Sequence, residues 1–91
     1  MIFEWSEAKR AANLTKHGVD FEAVRRFDWD TATQALDTRG DYGEHRWRAH
    51  GLIAGRLHSL VFTLRGKKIR VISLRKANPK EIAIYEAQSR P

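Results

Sequence analysis

The apolar and polar positions of this chain sort into four stretches: a helical opening, an irregular acidic segment, a run of strands and a final helix. Ile2-Phe3-Glu4-Trp5 reads as a short strand. Ser6 is placed to cap a helix through its hydroxyl, and Glu7 suits the positive N-terminal end. Ala8, Ala11, Ala12 and Leu14 supply helix-forming positions, and Lys16-His17-Gly18 closes the element with cations and a left-handed cap. Val19 is expected to make the apolar contact that accompanies such a cap. Asp20 then caps a second predicted helix with Phe21, Val24 and Phe27 on one stripe. Residues 28–44 are acidic and irregular, with a strand expected at Thr31–Leu36 and a mobile loop at Gly40 and Gly43.

Three strands follow, at His45–Ile53, Arg56–Leu64 and Lys68–Leu74, joined by turns at Ala54-Gly55 and Gly66-Lys67. Gly66 suits the first central position of a type II′ turn, whereas Ala54-Gly55 is a poorer turn signal. Two-residue turns set the register by counting. Leu64 then faces Ile69, Phe62 faces Val71 and Trp47, and Thr63 faces Arg70 and Arg46. Side chains alternate between faces, so Trp47, Ala49, Leu60, Phe62, Leu64, Ile69 and Val71 form a core face. The opposite face carries Arg46–Thr63–Arg70 in one row, Arg48–Val61–Ile72 in the next, and His50–Ser59–Leu74 in a third. A closing helix has Asn78 as cap, Pro79 at its first position and Glu81 reaching back, with Ile82 and Tyr85 on one stripe.

Length and composition narrow the class. Ninety-one residues make one domain with a thin core. An apolar content of 42% with three Trp and four Phe excludes a fully disordered chain. No apolar run has the length of a membrane span, and residues 1–20 lack a signal-peptide pattern. Cysteine is absent, which excludes disulfides and thiolate metal sites and fits a cytoplasmic protein. The four His have no recognised zinc spacing, so no metal or cofactor is expected.

Charge changes the picture most. Residues 1–45 hold six Lys/Arg against nine Asp/Glu, a net of −3, while residues 46–91 hold eleven against two, a net of +9. A cationic half of that density repels itself until an anion arrives, and a polyphosphate backbone matches its charge density. Seven of the eleven cations are Arg, which contacts phosphate bidentately. Arg46 and Arg70 flanking Thr63 would repel each other in an isolated sheet, which marks that row as a binding surface.

Phe3-Glu4-Trp5, Lys9, Asn13, Lys16-His17-Gly18-Val19 and Phe21 resemble the start of the BrnT family of ribonuclease toxins. The middle of the chain matches at Glu44, Arg46, Gly51 and Gly55-Arg56. The end matches at Arg70 through Ala77, with Glu81 and Tyr85. The resemblance covers nearly the whole chain, so that residues 1–91 would form one BrnT-like toxin domain. It implies an α+β, RelE-like fold: an antiparallel sheet, two N-terminal helices and a C-terminal helix, with the helices mainly on one face. It also implies an RNA endonuclease that inhibits translation, neutralised by a BrnA-like ribbon-helix-helix antitoxin through which the complex meets operator DNA. Two positions depart from the pattern. Ser6 stands where the family usually has Asp, and Ile82 where an Arg commonly follows the helix Glu. The second departure would remove a cation from the groove and weaken activity.

Metal-free RNA cleavage needs a base for the 2′-OH, cations for the phosphorane and an acid for the leaving 5′-oxygen. Arg46, Arg70 and Arg75 are the candidate phosphate clamps. For Arg75 a pairing with Glu81 is the alternative. Three residues compete for the base: His17, Glu44 and His50. The simpler reading of each comes first: His17 as a cation matched to a helix end, Glu44 as a salt-bridge partner of Arg46, and His50 as an ordinary exposed histidine. Lys9, Arg48, His50, Lys68, Lys76 and Tyr85 complete the candidate RNA-binding set, with core packing the alternative for Tyr85. Trp47 reads as core, and Trp29, between two aspartates, is poorly placed to stack on RNA. Two other functions fit the same residues: a non-catalytic nucleic-acid-binding or corepressor module, and a protein-interaction domain whose basic face docks an acidic partner.

Overall fold

A computed structural model describes residues 1–89. The elements are β1 (Ile2–Glu4), α1 (Glu7–His17), a 3₁₀ segment (Phe21–Arg26), β2 (Thr33–Leu36), β3 (Trp47–Ile53), β4 (Arg56–Arg65), β5 (Lys68–Lys76) and α2 (Pro79–Gln88). The predicted caps are in place. Ser6 Oγ accepts from Lys9 N at 3.3 Å, and Gly18 ends α1 at φ 70° with its N–H on Leu14 O. Asn78 and Glu81 form a reciprocal capping box at the start of α2.

The second predicted helix is 3₁₀ rather than α. Phe21, Val24 and Phe27 are all buried, and their spacing of three stacks them along one edge only at three residues per turn. They pack with Val19 against Ala49, Ile53, Leu60, Phe62, Val71 and Leu74. Gly51 makes room for this packing, because a Cβ there would lie 2.4 Å from Phe27 Cζ. Trp29 meets Phe27 and Phe62 edge-on at the margin of the core, and Trp47 is half-buried beside it. Leu64, expected in the core, is 57% exposed, since it lies near the β4–β5 turn beside Met1 and Ile69 rather than under the 3₁₀ segment.

The five strands run β1-β5-β4-β3-β2. The sheet is mixed, not antiparallel throughout: β1 pairs parallel with β5 through Ile2↔Lys68, Phe3↔Ile69 and Glu4↔Arg70. The long stretch of chain between those two strands frees them from the antiparallel geometry a hairpin imposes. β1 covers only the first part of β5, and beyond it α1 supplies a substitute. The Asn13 side chain donates to Leu74 O at 2.7 Å and accepts from Leu74 N at 3.3 Å, so an amide stands where a strand would. The same Nδ2 donates to Val19 O at 3.0 Å.

Register follows the count through the β4–β5 turn: Leu64↔Ile69, Thr63↔Arg70 and Phe62↔Val71. Beyond that a bulge intervenes. Val61 pairs with Ser73, so Ile72 is the extra residue, and Ser59 pairs with Arg75. The rows are therefore Arg48–Val61–Ser73 and His50–Ser59–Arg75, not those ending in Ile72 and Leu74. Leu74 instead faces Leu60 and is fully buried in the core.

The 3₁₀ segment covers the core face. The expectation that helices crowd one face fails for α2, which lies over the other side, against residues that alternate with the core positions. No residue of α2 is buried.

Candidate active site on the basic sheet face

The central strand contributes Thr63, Val61 and Ser59 to the second face, all buried and none charged. Basic side chains flank that strip on both sides. From β3 come Arg48 and His50, and from β5 come Lys68, Arg70 and, because of the bulge, Arg75. Arg46 lies one residue before the β3–β4 ladder begins at Trp47↔Phe62, on the side that Arg48 and His50 share by alternation. A shallow trough of small side chains between two basic walls results.

The walls are partly neutralised from within. Arg46 Nε is buried, has no hydrogen-bond partner, and stands 3.6 Å from Glu44 Oε2. Its guanidinium lies 4.1 Å over the Tyr42 ring. Glu44 also reaches Arg65 at 3.4 Å, so it sits between two guanidinium groups. Arg70 is 3.5 Å from Glu4 on the neighbouring β1. Arg48 has no ion-pair partner among the described residues.

The tightest cluster is at the α2 end. Glu81 takes Arg75 bidentately at 2.7 and 2.9 Å, and its Oε2 lies 3.2 Å from His50 Nε2. The Arg75 guanidinium, opposed by burial and helped by the Asn78 N–H, brings the Glu81 carboxyl down to about 2. His50 is thus half-buried and bonded rather than free in solvent. Thr33, Arg48, His50, Arg75, Lys80, Glu81, Ile84 and Tyr85 are among the residues around a cleft of about 450 Å³ here. Tyr85, half-exposed, donates to Thr31 O at 2.9 Å and lines this cleft instead of packing in the core. Ile82 lies in a hollow with Leu52 and Leu57, next to the cleft that Tyr85 also lines.

Three candidates lie apart from the trough. Lys9 and His17 border a separate groove between α1 and β5, with Lys16, Asn13 and Ser73. Burial, then Lys16 and Arg75, push the His17 imidazole below its ordinary value, which favours the neutral ring. Lys76 closes β5 two residues after Leu74 and so turns to the core side of the sheet, opposite His58 in the ladder. An ion pair stands just before the loop at Gly40 and Gly43. Asp37 accepts from Arg39 Nε and Nη2, both at 2.8 Å, which holds its carboxyl far below the usual range.

Glu81 is the residue that sequence reasoning undervalued. It reads as a helix cap, and it is one, but it also joins His50 and Arg75 across the sheet. Only the bulge, which no glycine or proline announces, brings those two into one row. Among the described residues no group of three His, Asp or Glu is arranged to hold a metal, and no helix is long and apolar enough to cross a membrane.

The class is thus a mixed-sheet α+β domain in which a trough walled by Arg and Lys side chains runs beside a His–Glu–Arg cluster. Residues 5–81 match the family described as "Ribonuclease toxin, BrnT, of type II toxin-antitoxin system", and the chain belongs to that family. Membership brings with it an RNA substrate and an antitoxin partner. No curated protein matches the chain.

Proposed function

We propose that this protein is a metal-independent endoribonuclease, a single RelE-like toxin domain that acts in the cytoplasm and blocks translation by cutting RNA. A BrnA-like ribbon-helix-helix antitoxin restrains it, and the pair meets operator DNA only through that antitoxin. The trough carries this reading: Arg46, Arg48, Arg70 and Arg75 flank the small side chains of β4, a layout suited to a single strand's phosphates. The 2′-OH proton goes to a base, the 2′-oxygen bonds to phosphorus, the bond to the 5′-oxygen breaks and that oxygen takes a proton from water, while the guanidinium groups offset the charge on the phosphorane. Glu44, His17 and His50 are the candidate bases, Lys68 and Tyr85 extend the RNA contact, and Lys9 and Lys76, proposed for the same contact from the sequence, lie in the α1–β5 groove and on the opposite face of the sheet.

The test is cleavage of RNA by toxin freed of antitoxin, in excess chelator. Products should carry 2′,3′-cyclic phosphate, and a 2′-deoxy nucleotide at the cut site should abolish cutting. Cleavage that survives the deoxy substitution refutes the mechanism. Arg46→Ala with Arg70→Ala should lose cutting and keep antitoxin binding. The carboxylate partners of Arg46, Arg70 and Arg75 favour a second reading, a corepressor module in which the cations are already compensated. Free wild-type protein that binds RNA without cutting it would support that module.

A further inference from the structure

We propose that Glu81 is a positioning residue that holds His50 as the acceptor of the ribose 2′-OH proton. This rests on the ribonuclease reading. The Glu81 carboxylate is fixed from three elements: Arg75 of β5 grips both oxygens, His50 of β3 meets Oε2, and the Asn78 N–H before α2 reaches Oε1 at 2.9 Å. An ionised carboxylate only accepts hydrogen bonds, so His50 Nε2 carries a hydrogen, which in the neutral ring leaves the lone pair on Nδ1. Nδ1 has no hydrogen-bond partner among the described residues. The carboxylate stays charged through the neutral range because Arg75 holds its proton affinity low.

The step balances. The 2′-OH proton passes to His50 Nδ1, the 2′-oxygen bonds to phosphorus, the bond from phosphorus to the 5′-oxygen breaks, and water protonates the leaving oxygen. The anionic Glu81 stabilises the imidazolium so formed. The other charged or titratable groups around the ring are Arg48 of β3, Arg75 of β5, and Lys80 and Tyr85 of α2. Arg75 Nη1 also donates to Lys76 O at 3.3 Å, so the guanidinium is held from two sides.

Glu81→Gln separates this role from capping, because Gln at the same helix position caps as well. In toxin released from its antitoxin, Glu81→Gln should lower kcat about 10- to 100-fold with KM unchanged or lower, since Arg75 is freed for phosphate. The acid limb of its pH–kcat profile should move to lower pH. His50→Gln should lower kcat by roughly 10²- to 10⁴-fold. A cutting wild type whose Glu81→Gln variant keeps kcat and pH profile overturns the assignment while leaving the ribonuclease reading intact. Nitrogen NMR of His50 gives an answer independent of turnover. An Nε2–H tautomer is expected, and an Nδ1–H tautomer refutes the proposal even if the protein cuts nothing.

Discussion

The two faces of one sheet are built on opposite terms. On one, Phe21, Val24 and Leu60 are fully buried, and the core contacts are aliphatic and aromatic. On the other, the walls are Arg and His, and α2 buries none of its residues. Alternation along β3, β4 and β5 makes both faces from the same strands, so every residue added to the trough fixes its neighbours in the core. The difference teaches where stability and function separate. Apolar burial, at about 25 cal/mol per Å², is concentrated on the 3₁₀ side. The charged side spends its side chains on groups that compete with a ligand: Glu44, Glu4 and Glu81 occupy the cations an anion would use.

The largest effect should come from breaking the apolar face. Phe21→Ala leaves a cavity at a fully buried ring and should cost about 4 kcal/mol. Arg48→Ala, across the sheet, should stay within about 0.5 kcal/mol while weakening RNA binding. Urea unfolding read at its midpoint checks both. Similar losses from the two variants would mean that the faces share stability evenly, contrary to the contrast drawn above.

Much of this contrast could be read before any coordinates. The caps at Ser6, Asp20 and Asn78, the Phe21–Val24–Phe27 stripe, and the register from Gly66 back to Phe62 rest on local chemistry. Long-range chemistry could not be read. Asn13 looks like an ordinary helix residue, yet its amide completes the edge of β5 sixty-one positions away. The bulge at Ile72 carries no glycine, and it decides whether Arg75 or Leu74 joins His50. Counting from the turn therefore held for Arg70 and failed for Arg75. The parallel pairing of β1 was hidden for the same reason, since nothing local to Ile2–Glu4 says which strand it will meet.

Acid should distinguish the faces next. His58 alternates with Leu60 and Phe62 toward the core, and burial lowers its proton affinity below the ordinary 6.5. His17 is lowered in the same direction, so both groups contribute stability that is present above pH 6.5 and lost as pH falls below it. Glu81, taken from 4.5 down to about 2, contributes stability that is present above pH 4.5 and lost as pH falls through 2. Asp20, also brought to about 2 chiefly by Arg10, acts in that lower window too. Stability should thus fall in two stages. Glu81→Gln should flatten the lower stage by roughly 1 kcal/mol and leave the upper one in place. Loss of both stages in that variant would show that α2 and the core unfold as one electrostatic unit.

The smallest effect concerns the hairpin that keeps the faces apart. Ala54 and Gly55 both have positive φ, 49° and 78°, which is the backbone of a type I′ turn. An alanine in the left-handed region costs roughly 1–2 kcal/mol, and asparagine tolerates that region better. Ala54→Asn should therefore raise stability by about 0.5–1 kcal/mol. The turn also sets which of Arg48, Ala49 and His50 points to the trough, because a one-residue slip would exchange the faces. A tighter turn should leave the rate of RNA cleavage unchanged, since the native register already places those side chains. A lower unfolding midpoint in Ala54→Asn would mean that the strain at Ala54 is not relieved by the better turn former. The pairing of Trp47 through Ile53 with β4 would then be held by packing along the strands rather than by the turn that joins them.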